Sequence, residues 1–216
     1  MAEKVFEYPG KGITVRYDMK RCIHAAECMR GLPGVFDPQR KPWVDAEAAP
    51  AEQVAAVVAR CPSGALHFTR LDGGPEESAP AQNAITVAAD GPLYLRGELQ
   101  VTDPDGGEVC RDTRMTLCRC GASSNKPFCD GNHAKAGFQD AGGLGKAGKP
   151  AEAVEVKPIL KITPLANGPL VVQGEAELRG ADGQVHGDNK MFLCRCGASA
   201  NKPFCDGSHK KMGFQA

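Results

Sequence analysis

The sequence has no long hydrophobic run and no excess of charge of either sign. No apolar stretch approaches the ~18 residues of a transmembrane helix, and residues 1–12 lack the apolar centre of a signal peptide. Acidic and basic side chains balance at 26 each, which leaves no electrostatic footprint for nucleic acid or an anionic membrane. We therefore expect a soluble, cytoplasmic protein with neither kind of partner.

Catalytic motifs are missing as well. No Ser/His/Asp set, phosphate-binding loop or carboxylate pair stands out, so we expect a protein that is not an enzyme. Cysteine, in contrast, is abundant. There are ten, and nine form three groups of three: Cys22, Cys28 and Cys61; Cys118, Cys120 and Cys129; Cys194, Cys196 and Cys205. Without an export signal, this richness favours metal or redox chemistry over disulfides.

Two stretches read as linkers because they are rich in small and loop-forming residues and lack apolar periodicity. They cover residues 71–82 and 140–156. The chain is thereby divided into a first domain, residues 1–70, and two further segments, residues 83–139 and 157–216.

The last two segments are copies of one unit. CRCGASSNKPFCDGNH at 118–133 and CRCGASANKPFCDGSH at 194–209 differ only at Ser124/Ala200 and Asn132/Ser208. Alternating apolar residues predict three strands in each copy. These strands cover residues 85–89, 93–101 and 114–120, and then 160–164, 170–178 and 190–196. A unit this small and poor in large apolar side chains usually needs a metal or a partner for stability.

The repeated string has the spacing of a metal site. On a strand, Cys118 and Cys120 would face the same side, and on a helical turn starting at Asp130, Cys129 and His133 would share one face. The second copy offers Cys194, Cys196, Cys205 and His209 at the same spacing. Three thiolates and one imidazole suit either zinc or an iron–sulfur cluster, and spacing alone does not choose between them.

The pattern C-x-C-x₂-S-x₃-P-x-C-D-G-[NS]-H resembles the CDGSH iron–sulfur family of mitoNEET-type proteins. The resemblance implies one 2Fe–2S cluster per copy, held by Cys118, Cys120, Cys129 and His133 and by Cys194, Cys196, Cys205 and His209. Many members are homodimers with intertwined β-caps. We therefore expect a monomer whose tandem repeat is an internal pseudo-dimer with pseudo-twofold symmetry.

A histidine ligand has chemical consequences. Replacing a thiolate with an imidazole removes negative charge and raises the reduction potential, as two histidines do in Rieske centres. The second ring nitrogen titrates near neutral pH when it faces solvent. We expect His133→Cys or His209→Cys to lower the potential and to flatten its dependence on pH.

The first domain reads as a compact α+β unit. Residues 12–18 and 65–70 predict strands, and residues 50–62 predict a helix with Val54, Val57 and Val58 on one face. The complete chain is therefore expected to be α+β, with a small ferredoxin-like domain followed by a mostly β tandem domain.

The cysteines of the first domain follow the pattern Cys22-x₅-Cys28 with a distant Cys61-Pro62. This pattern resembles divergent mono-cluster bacterial ferredoxins, in which a cysteine before proline completes the ligand set. Ala25 stands at the position of the missing fourth cysteine. The resemblance implies a 3Fe–4S cluster on three cysteines. His24 is favoured as a polar loop residue, with a 4Fe–4S cluster ligated by His24 as the less favoured form and a domain without its cluster as a further alternative.

Together these features predict an iron–sulfur protein that transfers electrons to or from a redox partner, such as a reductase or an oxygenase. The alternative function is cluster storage, cluster transfer to an acceptor protein, or redox and pH sensing. A structural zinc protein is a third interpretation, which predicts a colourless preparation.

Overall fold

The structure is a computed structural model that describes residues 5–147 and 158–216. It divides into two compact units, one ending at Ser78 and the other beginning at Ala79. The boundary falls inside the first predicted linker. Part of the second predicted linker, residues 148–156, lies outside the described residues, as do residues 1–4 and 157.

The first unit is a three-stranded antiparallel sheet with short helices. Its strands are β1 (Val5–Pro9), β2 (Ile13–Asp18) and β3 (Leu66–Arg70), with β2 in the centre. Its α-helices are α1 (Glu27–Gly31) and α2 (Ala51–Val58), and a 3₁₀ turn covers Met19–Arg21. The predicted strands at 12–18 and 65–70 are confirmed, and the predicted helix at 50–62 forms but ends at Val58.

The core of the first unit lies where α2 covers the sheet. Val54 and Val58 of α2 are fully buried, as are Ile13 and Val15 of β2. The apolar alternation of β2 and the helical periodicity of α2 therefore have one cause: both place apolar side chains in the contact between the helix and the sheet.

The second unit is built almost entirely of strands. They are β4 (Ala84–Val87), β5 (Leu93–Thr102), β6 (Glu108–Leu117), β7 (Ile159–Pro164), β8 (Leu170–Arg179) and β9 (Val185–Leu193). Its helices, α3 (Asn132–Lys135) and α4 (Ser208–Lys211), are four residues long. The part of the chain that the structure describes is thus mostly β, with a small N-terminal unit, and the finer α+β class stays a prediction.

The two repeats exchange strand pairings. β5 pairs with β6 along one edge, while its other edge is shared by β4 and, in parallel, by β7 from the second repeat. β8 is arranged in the same way, with β9 on one edge and β7 and β4 on the other. The buried Asn83 links the repeats, because its Nδ2 donates to the carbonyl oxygens of Pro158 and Glu175 at 3.0 Å.

One continuous hydrophobic core follows from this exchange. It combines buried residues of both repeats, among them Leu95 and Met115 from the first and Val172 and Met191 from the second. Each repeat therefore buries its apolar face against the other repeat. In the described residues, every helix is too short or too polar to cross a membrane.

Candidate metal centres

The first repeated motif lies just beyond a strand, not on it as predicted. β6 ends at Leu117, and Cys118 begins the following loop. Two hydrogen bonds join this loop to the returning chain: the Cys118 amide donates to the Pro127 carbonyl, and the Cys129 amide donates to the Thr116 carbonyl, both at 2.9 Å. These bonds hold Cys118 and Cys129 on adjacent segments.

The second motif repeats this geometry. The Cys194 amide donates to the Pro203 carbonyl at 2.7 Å, and the Cys205 amide donates to the Phe192 carbonyl at 2.8 Å. The structure thus brings the cysteines of each motif together by backbone hydrogen bonds that do not depend on a ligand.

Within each motif the four donor atoms form two pairs. The Sγ atoms of Cys118 and Cys120 are 3.7 Å apart, and so are those of Cys194 and Cys196. The Sγ of Cys129 lies 3.5 Å from Nδ1 of His133. Among residues 5–147 and 158–216, no group of three or more such side chains surrounds a position for one metal ion.

The pair separations match the ligands of a tetrahedral metal. With metal–sulfur bonds of about 2.3 Å and metal–nitrogen bonds of about 2.0–2.1 Å, two sulfurs on one ion lie about 3.8 Å apart, and a sulfur and a nitrogen about 3.6 Å apart. The second Cys–His pair, Cys205 Sγ and His209 Nδ1, is at 3.4 Å. Each motif therefore offers two pairs, and each pair has the spacing that one ion requires.

The helical turn that carries the histidine starts one residue later than predicted. Gly131, with φ at 84°, is the N-cap of α3, and Asp130 lies one residue before it. Asp130 accepts from the amide of Ser124 at 2.8 Å and from the amide of Asn132, the first residue of α3, at 3.0 Å. The Gly131 amide donates to Cys129 Sγ at 3.4 Å, which favours the thiolate form of that sulfur.

The Asn132/Ser208 difference leaves this turn intact. Asn132 Nδ2 donates to Asp130 Oδ2 at 2.9 Å. Hydrogen bonds from the Ser208 side chain and backbone hold the pKa of Asp206 well below its usual range. Either residue therefore fixes the aspartate that precedes the helical turn.

Burial makes several of the thiols hard to ionise. It raises the pKa of Cys129 to about 11 and also raises the pKa of Cys196 and of Cys205. Cys118 and Cys120 share a hydrogen bond that lowers the pKa of Cys118 and raises that of Cys120. Thiols of this kind become thiolates when a metal replaces the proton.

The two motifs touch through their backbones. Cys120 and Cys196 form an isolated antiparallel bridge. A Cβ atom on Gly121 would lie 2.7 Å from the Cys196 carbonyl oxygen, and one on Gly197 would lie 2.5 Å from the Cys120 carbonyl oxygen. Since both glycines also have φ near 80°, only glycine fits this crossing without strain.

Sequence reasoning missed the two buried arginines between the paired cysteines. Arg119 is fully buried and donates to the carbonyls of Gly91 and Ala88 and to the carboxylate of Asp140. Its guanidinium lies 5.0 Å from the centre of the Phe138 ring.

Arg195 makes matching contacts with Gly168, Leu165 and Phe214. The sequence did contain a signal for these contacts. Both copies have Arg between the paired cysteines and end in Gly-Phe, so a contact between the arginine and the phenylalanine could have been predicted. The arginines tie the metal-binding loop to the chain on either side of it.

The three cysteines of the first unit come from three different elements. Cys22 follows the 3₁₀ turn, Cys28 lies in α1 and Cys61 follows α2. All three line one small cavity of about 30 Å³ together with Ala25 and Pro62. The structure therefore brings the predicted ligands and the alanine at the missing ligand position to one place.

The ion pairs of Glu27 support this arrangement, because its two oxygens lie 2.6 Å from Arg30 and 3.0 Å from Arg60. They link the start of α1, next to Cys28, to the residue before Cys61. Burial raises the pKa of the Cys28 thiol. His24 is exposed and lines a different, larger cavity that Cys61 does not reach.

Two family models match the chain. Residues 8–71 match the family described as divergent 4Fe-4S mono-cluster, and residues 90–134 and 167–210 match the family described as iron-binding zinc finger CDGSH type. The chain therefore carries two tandem CDGSH iron-binding domains, preceded by a divergent 4Fe–4S mono-cluster domain. These family matches support an iron–sulfur protein.

Among individual proteins, the chain is similar to the uncharacterized protein YjdI of Escherichia coli K12 and of Escherichia coli O157:H7. It is 36% identical to each over 61 residues, which are 28% of this chain and 80% of YjdI. No solved structure matches the chain.

Proposed function

We propose that the tandem domain binds two 2Fe–2S clusters, one in each CDGSH motif. In the first motif Cys118 and Cys120 would hold one iron, and Cys129 and His133 the other. Cys194 and Cys196, with Cys205 and His209, would do the same in the second. The division of four donors into two pairs, each spaced for one tetrahedral ion, supports a two-iron centre over a single zinc ion.

We also propose that the tandem repeat is an internal pseudo-dimer, so that the chain works as a monomer. The support is the reciprocal exchange of pairings, in which β4 pairs with β8 and β7 pairs with β5. The glycines are also reciprocal: Gly121 of the first motif faces the backbone of Cys196, and Gly197 of the second faces the backbone of Cys120.

For the first unit we propose a third centre on Cys22, Cys28 and Cys61. Three thiols around one cavity, with Ala25 at the fourth position, favour a 3Fe–4S cluster. The alternative is a 4Fe–4S cluster, the type in the family's description, with His24 or a non-protein ligand on the fourth iron. The outward position of His24 favours the three-iron form.

The function that these sites support best is electron transfer to or from a redox partner in the cytoplasm, without catalysis by this chain. The observation that carries this proposal is the backbone bridge between Cys120 and Cys196, which makes the two motifs direct neighbours. Different ligand sets in the two units would give their centres different potentials, and hence a preferred direction for electrons.

Cluster transfer to an acceptor protein is the second candidate. His133 and His209 are partly exposed, whereas Cys118 and Cys194 are fully buried. A ligand that solvent reaches is the place where a cluster is released most readily.

Incubation of the loaded protein with an acceptor ferredoxin that lacks its cluster separates the two functions. Electron transfer predicts that the 2Fe–2S absorbance stays with this chain through repeated reduction and oxidation. Movement of the cluster to the acceptor within minutes, faster than its loss to buffer, would favour the carrier function.

Replacing the histidine ligand with cysteine should lower the reduction potential. In His209→Cys a fourth thiolate adds negative charge to the centre, and we expect a shift of at least ~100 mV for that centre, since two histidines separate Rieske from plant-type potentials by several times this amount. Protein-film voltammetry measures the shift. His186→Cys, on β9 in the same repeat, is the matched control and should leave the potential near that of the parent. An unchanged potential in His209→Cys would show that His209 is not a ligand.

A further inference from the structure

A second cavity in the first unit lies against two of the three grouped thiols. Its volume is about 560 Å³, within the range of small-molecule sites. Four aromatic rings line it, those of Phe6, Tyr8, Tyr17 and Trp43. Phe6 at 45% exposure, together with Met19 at 44%, leaves apolar surface open to solvent.

The rings are arranged as flat walls at angles to one another. The Tyr17 and Trp43 rings are 4.9 Å apart at 70°, and the Tyr8 and Trp43 rings are 6.2 Å apart at 82°. Phe6 stacks on Tyr17 at 6.5 Å. Such walls suit a flat aromatic ring, which can stack on one wall and meet the edge of another.

This cavity is distinct from the one that the three cysteines share. Cys22 and Cys28 line both, but Cys61 lines only the smaller one. The Tyr17 ring also lines both, and its pKa is raised by burial and by a hydrogen bond with Cys22. A molecule in the larger cavity would therefore lie against the thiol pair without displacing Cys61.

Two cationic side chains line the cavity, and Lys41 gives a place for an anion. The lining residues include Arg40 and Lys41, and none of the described lining residues is Asp or Glu. The Arg40 guanidinium is held by the carbonyls of Gly34, Val35 and Pro42 at 3.0, 2.6 and 3.3 Å, and it lies 3.9 Å from the Asp45 carboxylate. Arg40 therefore already has its own partners. Lys41 is exposed and extends the cationic surface to solvent.

We propose that this cavity binds a small planar aromatic molecule that carries an anionic group, with the ring stacked on one aromatic wall and the anion at Lys41. Flavin nucleotides and anionic quinones have this chemistry. The site goes beyond the proposed function, and the binding itself does not require that any cluster transfers electrons.

Flavin mononucleotide is the probe for the full-length protein, and riboflavin is the same ring without the phosphate. Isothermal titration calorimetry and flavin fluorescence anisotropy give both affinities. We expect saturable binding of flavin mononucleotide at one site, roughly threefold or more tighter than riboflavin, because an ion pair at a partly exposed site contributes this much. Stacking on Trp43, the single tryptophan of the chain, should quench its fluorescence.

Two exposed substitutions locate the site. Lys41→Gln should remove most of the preference for flavin mononucleotide over riboflavin, while Lys11→Gln, an exposed lysine of the same unit, should not. Phe6→Glu should weaken flavin mononucleotide roughly tenfold or more, since it removes a ring and adds a repelling charge at the mouth. Circular dichroism checks that each variant is folded.

The proposal is overturned if flavin mononucleotide does not bind, if riboflavin binds equally well, or if Phe6→Glu leaves the affinity unchanged. Iron and sulfide analysis of the same samples tests the proposed function separately. If the protein holds its clusters but does not bind flavin mononucleotide, only the proposal for the cavity is rejected. If it binds flavin mononucleotide but contains no iron or sulfide, only the proposed electron-transfer function is rejected.

Discussion

Replacing Cys129 with serine should remove the metal centre of the first repeat and leave that of the second. Cys129 is 2% exposed and supplies the sulfur of the Cys–His pair, so its loss leaves one iron with a single protein ligand. We expect the EPR signal of the reduced 2Fe–2S centres to fall by roughly half. The melting temperature should also fall, because the metal links the loop after β6 to the helical turn that carries His133.

Cys110→Ser is the matched control for this change. Cys110 lies on β6 of the same repeat, is partly buried, and is the cysteine outside the three groups. It should keep the iron content and both signals. An unchanged signal in Cys129→Ser, or an equal loss in Cys110→Ser, would contradict the ligand assignment.

Gly121→Ala should damage both centres, although glycine binds no metal. The new Cβ would meet the Cys196 carbonyl oxygen at 2.7 Å, and the backbone has φ at 80°. Either motif must move for the methyl group to fit, so we expect reduced iron in both repeats. The free energy of unfolding should fall by ~3 kcal/mol, from left-handed strain together with overpacking.

The control is Gly106→Ala, which separates the contact from the backbone strain. Gly106 has φ at 92°, but a Cβ there would meet nothing within 4 Å. It should lose only the ~1–2 kcal/mol of left-handed strain and keep its iron. Chemical denaturation and iron analysis of the two variants give the comparison. Equal effects would show that the contact between the motifs contributes nothing.

Much of this fold follows from local sequence. Apolar alternation predicted the strands that became β2, β5 and β8, because each has one face on a core. The repeated string predicted that Cys118 and Cys120 approach each other and that Cys129 meets His133. These distances are set by spacing within a few residues.

The features that sequence reasoning missed depend on long-range contacts. The exchange of β4 and β7 between the repeats is not encoded in either strand alone, since parallel pairing joins segments far apart in the chain. The burial of Arg119 also depends on distant partners, the carbonyls of residues 88 and 91 and the carboxylate of Asp140. A charged residue in a loop is ordinarily exposed.

Two local predictions were wrong in detail for physical reasons. The Cys-x-Cys segment leaves the strand because the Cys118 amide bonds to the Pro127 carbonyl. The N-cap of the helical turn is Gly131 and not Asp130, because the chain enters the turn through a left-handed φ of 84° that glycine permits. Asp130 accepts the Asn132 amide from one residue before that cap. In the first unit, α1 was missed because five residues show no helical period.

The central claim is that one chain carries two 2Fe–2S centres and a third centre on Cys22, Cys28 and Cys61. Iron and acid-labile sulfide analysis with EPR, on full-length protein purified without oxygen, tests it most directly. The account predicts about seven irons and eight sulfides per chain, with a three-iron signal in the oxidised protein and 2Fe–2S signals after reduction. A colourless protein that contains zinc and no sulfide would contradict it.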